Sequence, residues 1–181
     1  MQKQIALLRG INVSGKNKIA MKDLKAEFGK LGYENAATLL NSGNIVFESA
    51  ESDEKNLATA ISKMIKVRFA LDIPVFVITE NELNDIMQNQ PQWWGEGGDL
   101  YDNLIFAIPP CTAAEVCNAL GEPKPKLEQI HVYKDVIFWS FSRKNYTKTN
   151  WWAKTANSQI KDSITIRTAG TVRKLLEICR K

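Results

Sequence analysis

The stretch ATLLNSGNIVFES, residues 37–49, decides the fold. Two apolar runs, ATLL and IVFES, flank Asn41-Ser42-Gly43-Asn44. Asn and Gly tolerate the positive φ that tight turns need, so the stretch predicts two strands paired as a hairpin. Helical periodicity lies on either side of it. Upstream, Met21, Leu24, Phe28 and Leu31 recur at helical spacing, and Gly32 ends that helix. Downstream, the acidic residues at 51, 53 and 54 suit the first turn of a second helix. Its buried face carries Leu57, Ile61, Met64 and Ile65. KQIALLRGI (3–11) reads as the first strand and IPVFVIT (73–79) as the fourth. The order is β-α-β-β-α-β, the ferredoxin-like unit, in which two helices pack on one face of a four-stranded antiparallel sheet.

The same order recurs further on. Thr79-x-x-Glu82 is a capping box that opens a linker helix through Leu83, Ile86 and Met87. NQPQWWGEGGD (89–99) then breaks regular structure with Pro and Gly. NLIFAIP (103–109) is a strand, and Thr112-x-x-Glu115 caps a helix that ends at Gly121. LEQIHVY (127–133) and VIFWSF (136–141) form a hairpin around Lys134-Asp135. Residues 143–157 suit a short helix and SITIRT (163–168) a last strand. A closing helix puts Val172, Leu175, Leu176 and Cys179 on one face. The expected fold class is α+β: two ferredoxin-like β-α-β-β-α-β units with antiparallel sheets and additional helices. The expected organisation is a first domain at 1–79, a linker helix and loop at 80–100, and a second domain with a C-terminal helix at 101–181.

Composition narrows the chemistry. No run of 18 apolar residues exists, so no membrane partner is expected. The start, MQKQIALLRG, lacks the apolar core of a secretory signal, and a cytoplasmic location is expected. Three cysteines, Cys111, Cys117 and Cys179, show no metal spacing and suit reduced thiols. The one histidine, His131, sits in a strand-like run, which disfavours Ser-His-Asp or Cys-His chemistry. No metal and no cofactor is expected. Charge is uneven: residues 143–181 hold ten basic and two acidic groups, a net charge of +8. Such a basic segment attracts anions.

The first connection poses a sharper question. Gly10-Ile-Asn-Val-Ser-Gly15-Lys16-Asn17 is one residue short of the phosphate-cradling pattern G-x-x-x-x-G-K-[ST]. Asn17 stands where a Mg²⁺-binding hydroxyl belongs, and the apolar helical period starts only near Met21. The β-α-β-β order also denies the parallel sheet of that fold. A weaker expectation survives, an anion-binding loop built from Arg9, Asn12, Ser14, Gly15, Lys16, Asn17 and Lys18. Arg9 is costly in an apolar strand unless it is paired or faces a site. The hairpin turn at Ser42–Asn44 is expected at the opposite end of the sheet from this loop, and so apart from it.

At these residues the chain resembles the bacterial family called domain of unknown function 1697. The pattern Leu-Leu-Arg-Gly-Ile-Asn-Val-x-Gly-Lys-Asn-Lys matches Leu7–Val13 and Gly15–Lys18. Met21, Leu24, Leu31-Gly32, Thr38 and Ser42–Asn44 match further positions. Near the C-terminus the family shows Thr-x-Arg-Asn-Trp-Arg-Thr, where this chain reads Thr165-Ile166-Arg167-Thr168-Ala169-Gly170-Thr171. The resemblance implies a duplicated ferredoxin-like fold and no established activity.

Three functions are open to this sequence. The first is an anionic small molecule, such as a phosphate or nucleotide, held by the 9–18 loop. The second is nucleic acid held by the basic C-terminal half, where Tyr146, Trp151 and Trp152 interleave with Lys144, Lys148, Lys154 and Arg167. An RNA-recognition domain is not expected, because QIALL (4–8) has no aromatic to stack a base. The third is a protein-interaction module using a sheet edge or the Trp93-Trp94 loop. No paired carboxylates or nucleophile–base pair name a reaction.

Overall fold

The computed structural model describes residues 1–181. Fourteen helices and strands follow the expected order. They are β1 (Gln2–Leu8), α1 (Met21–Lys30), β2 (Glu34–Leu39), β3 (Asn44–Ser49), α2 (Glu54–Phe69), β4 (Val75–Thr79) and α3 (Glu80–Gln88). Then come β5 (Leu100–Ala107), α4 (Ala113–Leu120), β6 (Glu128–Tyr133), β7 (Val136–Ser142), α5 (Trp151–Asn157), β8 (Ile164–Thr168) and α6 (Ala169–Cys179). Two four-stranded antiparallel sheets result, ordered β2-β3-β1-β4 and β6-β7-β5-β8. The fold class is α+β, as the periodicity predicts. The chain divides into two compact units, Met1–Asn84 with Arg173–Lys181, and Asp85–Val172.

In the first unit, alternation along the strands builds a helix-facing core. Ala6, Leu8, Ile45, Phe47, Val75 and Val77 meet Leu24 and Phe28 of α1 and Leu57, Ile61 and Ile65 of α2. Burying each large aliphatic side chain stabilises by about 1.5–3 kcal/mol. The alternate positions Ile5, Leu7, Val46 and Ile78 are buried too, so the middles of these strands are apolar on both faces. Local signals set the ends. Asp53 accepts from the amides of Lys55 and Asn56 to start α2. Gly32, at φ +81°, follows the last turn of α1, as expected. Thr79 and Glu82 bond reciprocally and open α3.

The second unit repeats this plan. Ile105, Ala107, Ile137, Trp139, Phe141 and Ile164 face Val116 and Leu120 of α4 and Trp151 of α5. Thr112 and Glu115 form the predicted capping box of α4. The segment 143–157 supplies only a 3-10 turn at Tyr146–Lys148 and the short α5. Trp94 is buried, stands edge-on to Phe138 at 5.0 Å, and donates its indole N–H to Asn103 O at 2.8 Å. It is a core side chain, not an exposed interaction residue.

One expectation fails. The turn at Ser42–Asn44 lies at the same end of the sheet as the first connection. Strand β3 is antiparallel to both β1 and β2, and Leu7 pairs with Asn44, so β3 begins where β1 ends. Leu8 N–H donates to Gly43 O at 2.8 Å. A Cβ on Gly43 would sit 2.7 Å from the Leu8 Cβ and 3.0 Å from the Ile11 side chain. The two motifs form one structure.

Candidate functional site

The connection 9–20 is itself a small hairpin. Val13 and Lys16 form an antiparallel bridge, with Lys16 N–H donating to Val13 O at 2.9 Å. Ser14 and Gly15, at φ +50° and +77°, make the turn, in which left-handed backbone suits glycine. Asn12 N–H donates to Asn17 O at 3.1 Å, and Asn17 Nδ2 donates to Gly10 O at 3.0 Å. The Lys16 amide is thus turned into the loop, α1 starts only at Met21, and the sheet is antiparallel. This is not the phosphate-wrapping loop of a Mg-nucleotide enzyme.

Asn12 anchors the hairpin to its surroundings. Its Oδ1 accepts from Ile19 N–H at 2.9 Å, and its Nδ2 donates to Ile19 O and to Asn41 O, each at 2.8 Å. Beside these bonds lies an open hollow of about 450 Å³. Asn12, Gly15, Lys18 and Asn41 line it, with Ala20 and Met21 at the start of α1. No side chain caps that helix: Ala20 occupies the N-cap, and the first capping bonds run only from Asp23 and Leu24 to Ala20 O. The outward N–H groups of a helix start carry partial positive charge.

The seven residues expected at the loop therefore divide. Asn12, Gly15 and Lys18 line the hollow. Ser14 and Lys16 sit at the exposed hairpin tip, and Asn17 serves the loop's own backbone. Arg9 lies half-buried just past the end of β1, its N–H donating to Pro74 O at 3.0 Å. Asn41 and the α1 start were not legible as site components, because the turn was expected elsewhere.

The second unit shows what the fold itself requires here. Ala107 N–H donates to Asp135 O, as Leu8 does to Gly43 O, and Ile108 N–H donates to Ser163 O, as Arg9 does to Pro74 O. The connection is shorter, only 108–112, and passes through a cis peptide at Pro109-Pro110. The start of α4 is occupied by side chains of its own unit. Asp135 Oδ1 accepts from Ala113 N–H at 3.3 Å, and Thr112 and Glu115 cap reciprocally. The fold closes without a hairpin like 12–17, and the first unit carries one.

The basic, aromatic set also divides. Trp151 is fully buried and donates its indole N–H to Gly121 O at 2.7 Å. Lys154 caps the end of α4 through Leu120 O at 2.8 Å. Arg167 is 8% exposed and donates to Thr165 Oγ1 and Ile166 O. All three are tied into the fold by these bonds. Tyr146 and Trp152 are each 40% exposed, and Lys144 and Lys148 lie on the surface.

The thiols are poor nucleophiles. Burial raises the pKa of Cys111 and Cys117, and raises that of Cys179 to about 11. His131 is exposed on edge strand β6. No group of three or more His, Cys, Asp or Glu is placed to hold a metal ion. No helix is long and apolar enough to cross a membrane.

Comparison with known proteins agrees with this architecture. A solved structure described as a conserved bacterial protein from Streptococcus pneumoniae is similar over 98% of both chains, at 28% identity and a TM-score of 0.86. Curated protein sequences give no match. The family model described as "Protein of unknown function (DUF1697)" matches residues 1–138, which hold the whole first hairpin connection and the turn it packs against. By that match the chain belongs to the DUF1697 family.

Proposed function

We propose that the protein binds a small anionic molecule in the hollow between the 12–18 hairpin and the Asn41 turn, through a phosphate or carboxylate group of the ligand. The observation that carries this reading is the contrast between equivalent helix starts. In the second unit a built-in carboxylate, Asp135, meets the first amide of α4. In the first unit the corresponding turn residue is Gly43, and α1 begins with no side-chain cap, opening on the hollow beside Lys18. An anion there gains the helix-start amides and one ammonium group. Arg9 and Lys16 add positive potential nearby without lining the hollow.

Thermal unfolding with a panel of phosphate, carboxylates and mononucleotides tests it. A ligand with Kd of about 1 mM, added at about 10 mM, stabilises by about 1.4 kcal/mol and raises Tm by about 3–5 °C. Lys18→Ala removes the shift, and Lys16→Ala only weakens it. A panel without any shift, or a shift that survives Lys18→Ala, refutes the reading.

A further inference from the structure

We infer that the surface end of an aromatic ladder in the second unit is a stacking platform for single-stranded nucleic acid. The ladder begins in the core. Trp139 and Trp151 are buried with centroids 6.1 Å apart, and Trp139 meets Phe141 at 4.5 Å. Phe141 meets Trp152 at 5.5 Å, and Trp152 meets Tyr146 edge-to-face at 4.9 Å and 74°. The first three rings belong to the core of the second unit. Trp152 and Tyr146 extend it outward and leave 40% of their surface in water. One turn beyond Trp152 on α5 stands Ala156, small and exposed.

Cations lie along this ladder and in the turn that carries Tyr146. Lys148 lies exposed in the 3-10 turn that joins Tyr146 to α5, and Lys124 Nζ donates to its carbonyl at 2.7 Å. Arg143 rests over Tyr101 at 5.4 Å, and Tyr101 packs on Phe141. Lys144 pairs only with Asp99, at 3.3 Å with both side chains 76% exposed; such a surface pair yields readily to a phosphate. Residues 143–161 contain no Asp or Glu. Exposed aromatic side chains for bases, beside cations for phosphates, are how single strands are held without sequence preference. An acidic protein segment would use the cations and leave the indole idle, so the exposed ring pair favours nucleic acid. This surface involves none of the residues of the hollow.

The test is anisotropy of a labelled oligothymidylate of about 12 nucleotides titrated with the full chain. Binding is expected at low salt, weakening about 20-fold between about 50 and about 200 mM salt for three phosphate contacts. Trp152→Ala weakens it about tenfold. Lys148→Ala, a surface change that leaves the fold intact, lowers the salt slope by about 0.7. Lys63→Ala, an exposed position of α2 in the first unit, leaves binding unchanged. Absence of binding at low salt overturns the inference. So does binding indifferent to both Trp152→Ala and Lys148→Ala, or polyglutamate competing as well as the oligonucleotide, which would assign the surface to an acidic protein.

Discussion

Asn12 donates from its side-chain amide to the backbone carbonyl of Asn41 at 2.8 Å, and so binds the connection after β1 to the turn between β2 and β3. The same side chain closes the loop on Ile19 from both sides. One residue therefore fixes the hairpin, the turn and the approach to α1 together.

Replacing Asn12 should loosen all three. Each lost bond costs about 0.5–1.5 kcal/mol, so Asn12→Ala is expected to destabilise by about 2 kcal/mol. Asn12→Asp keeps the acceptor for Ile19 N–H and loses both donations, and should fall between the two. Urea unfolding of the three proteins gives that order directly.

Gly43 has no room for a side chain. Its φ of +74° is left-handed, and a Cβ would clash with Leu8 at 2.7 Å. Leu8 is strand core and cannot retreat. Gly43→Ala should cost about 2–4 kcal/mol, the left-handed penalty plus overpacking. Gly15→Ala, with equal φ strain and nothing within 4 Å, should cost only about 1–2 kcal/mol.

Glu128 organises the second unit from inside. It is 4% exposed and accepts from Trp139 Nε1 at 3.1 Å and from the amides of Lys124, Asn150 and Trp151. Removing the carboxylate strands several buried N–H groups, at about 1–3 kcal/mol each. Glu128→Ala is expected to lose about 3 kcal/mol or more and to blunt the near-ultraviolet dichroism of Trp139 and Trp151. Intact aromatic dichroism in that variant would deny the clamp.

Acid should act on the first unit through Glu27. The hydrogen bond from Lys30, first, and then the Arg68 charge hold its carboxyl below 4.5 against the opposing effect of burial. A depressed carboxyl contributes its full stability above the unfolded value and loses it as pH falls through the folded one. Stability should therefore decline below about pH 4.5. Glu27→Gln should be weaker at neutral pH and flatter in acid, as denaturation at a series of pH values would record.

Much of the fold was legible because local signals agreed with the pattern. Gly32, Asp53 and the pairs Thr79/Glu82 and Thr112/Glu115 mark helix ends by their own chemistry. The error over the Ser42–Asn44 turn came from chain direction, not from the elements. With β3 antiparallel to β1, the turn must lie at the C-terminal end of β1. The tryptophans were harder. Trp151 and Trp152 are neighbours on a helix and so point about 100° apart, one into the core and one outward, and α5 is too short to show a period. Lys154 and Arg167 looked like free cations because their acceptors, Leu120 and Thr165, are backbone or strand neighbours that composition does not reveal.

The most direct test of the anion site is a phosphate and acetate titration followed by amide nuclear magnetic resonance. The amides of Lys18, Met21 and Lys22 should move together and saturate, while Ala113, whose amide already meets Asp135, stays still. Shifts scattered over surface lysines without saturation, or none at the start of α1, would contradict the account.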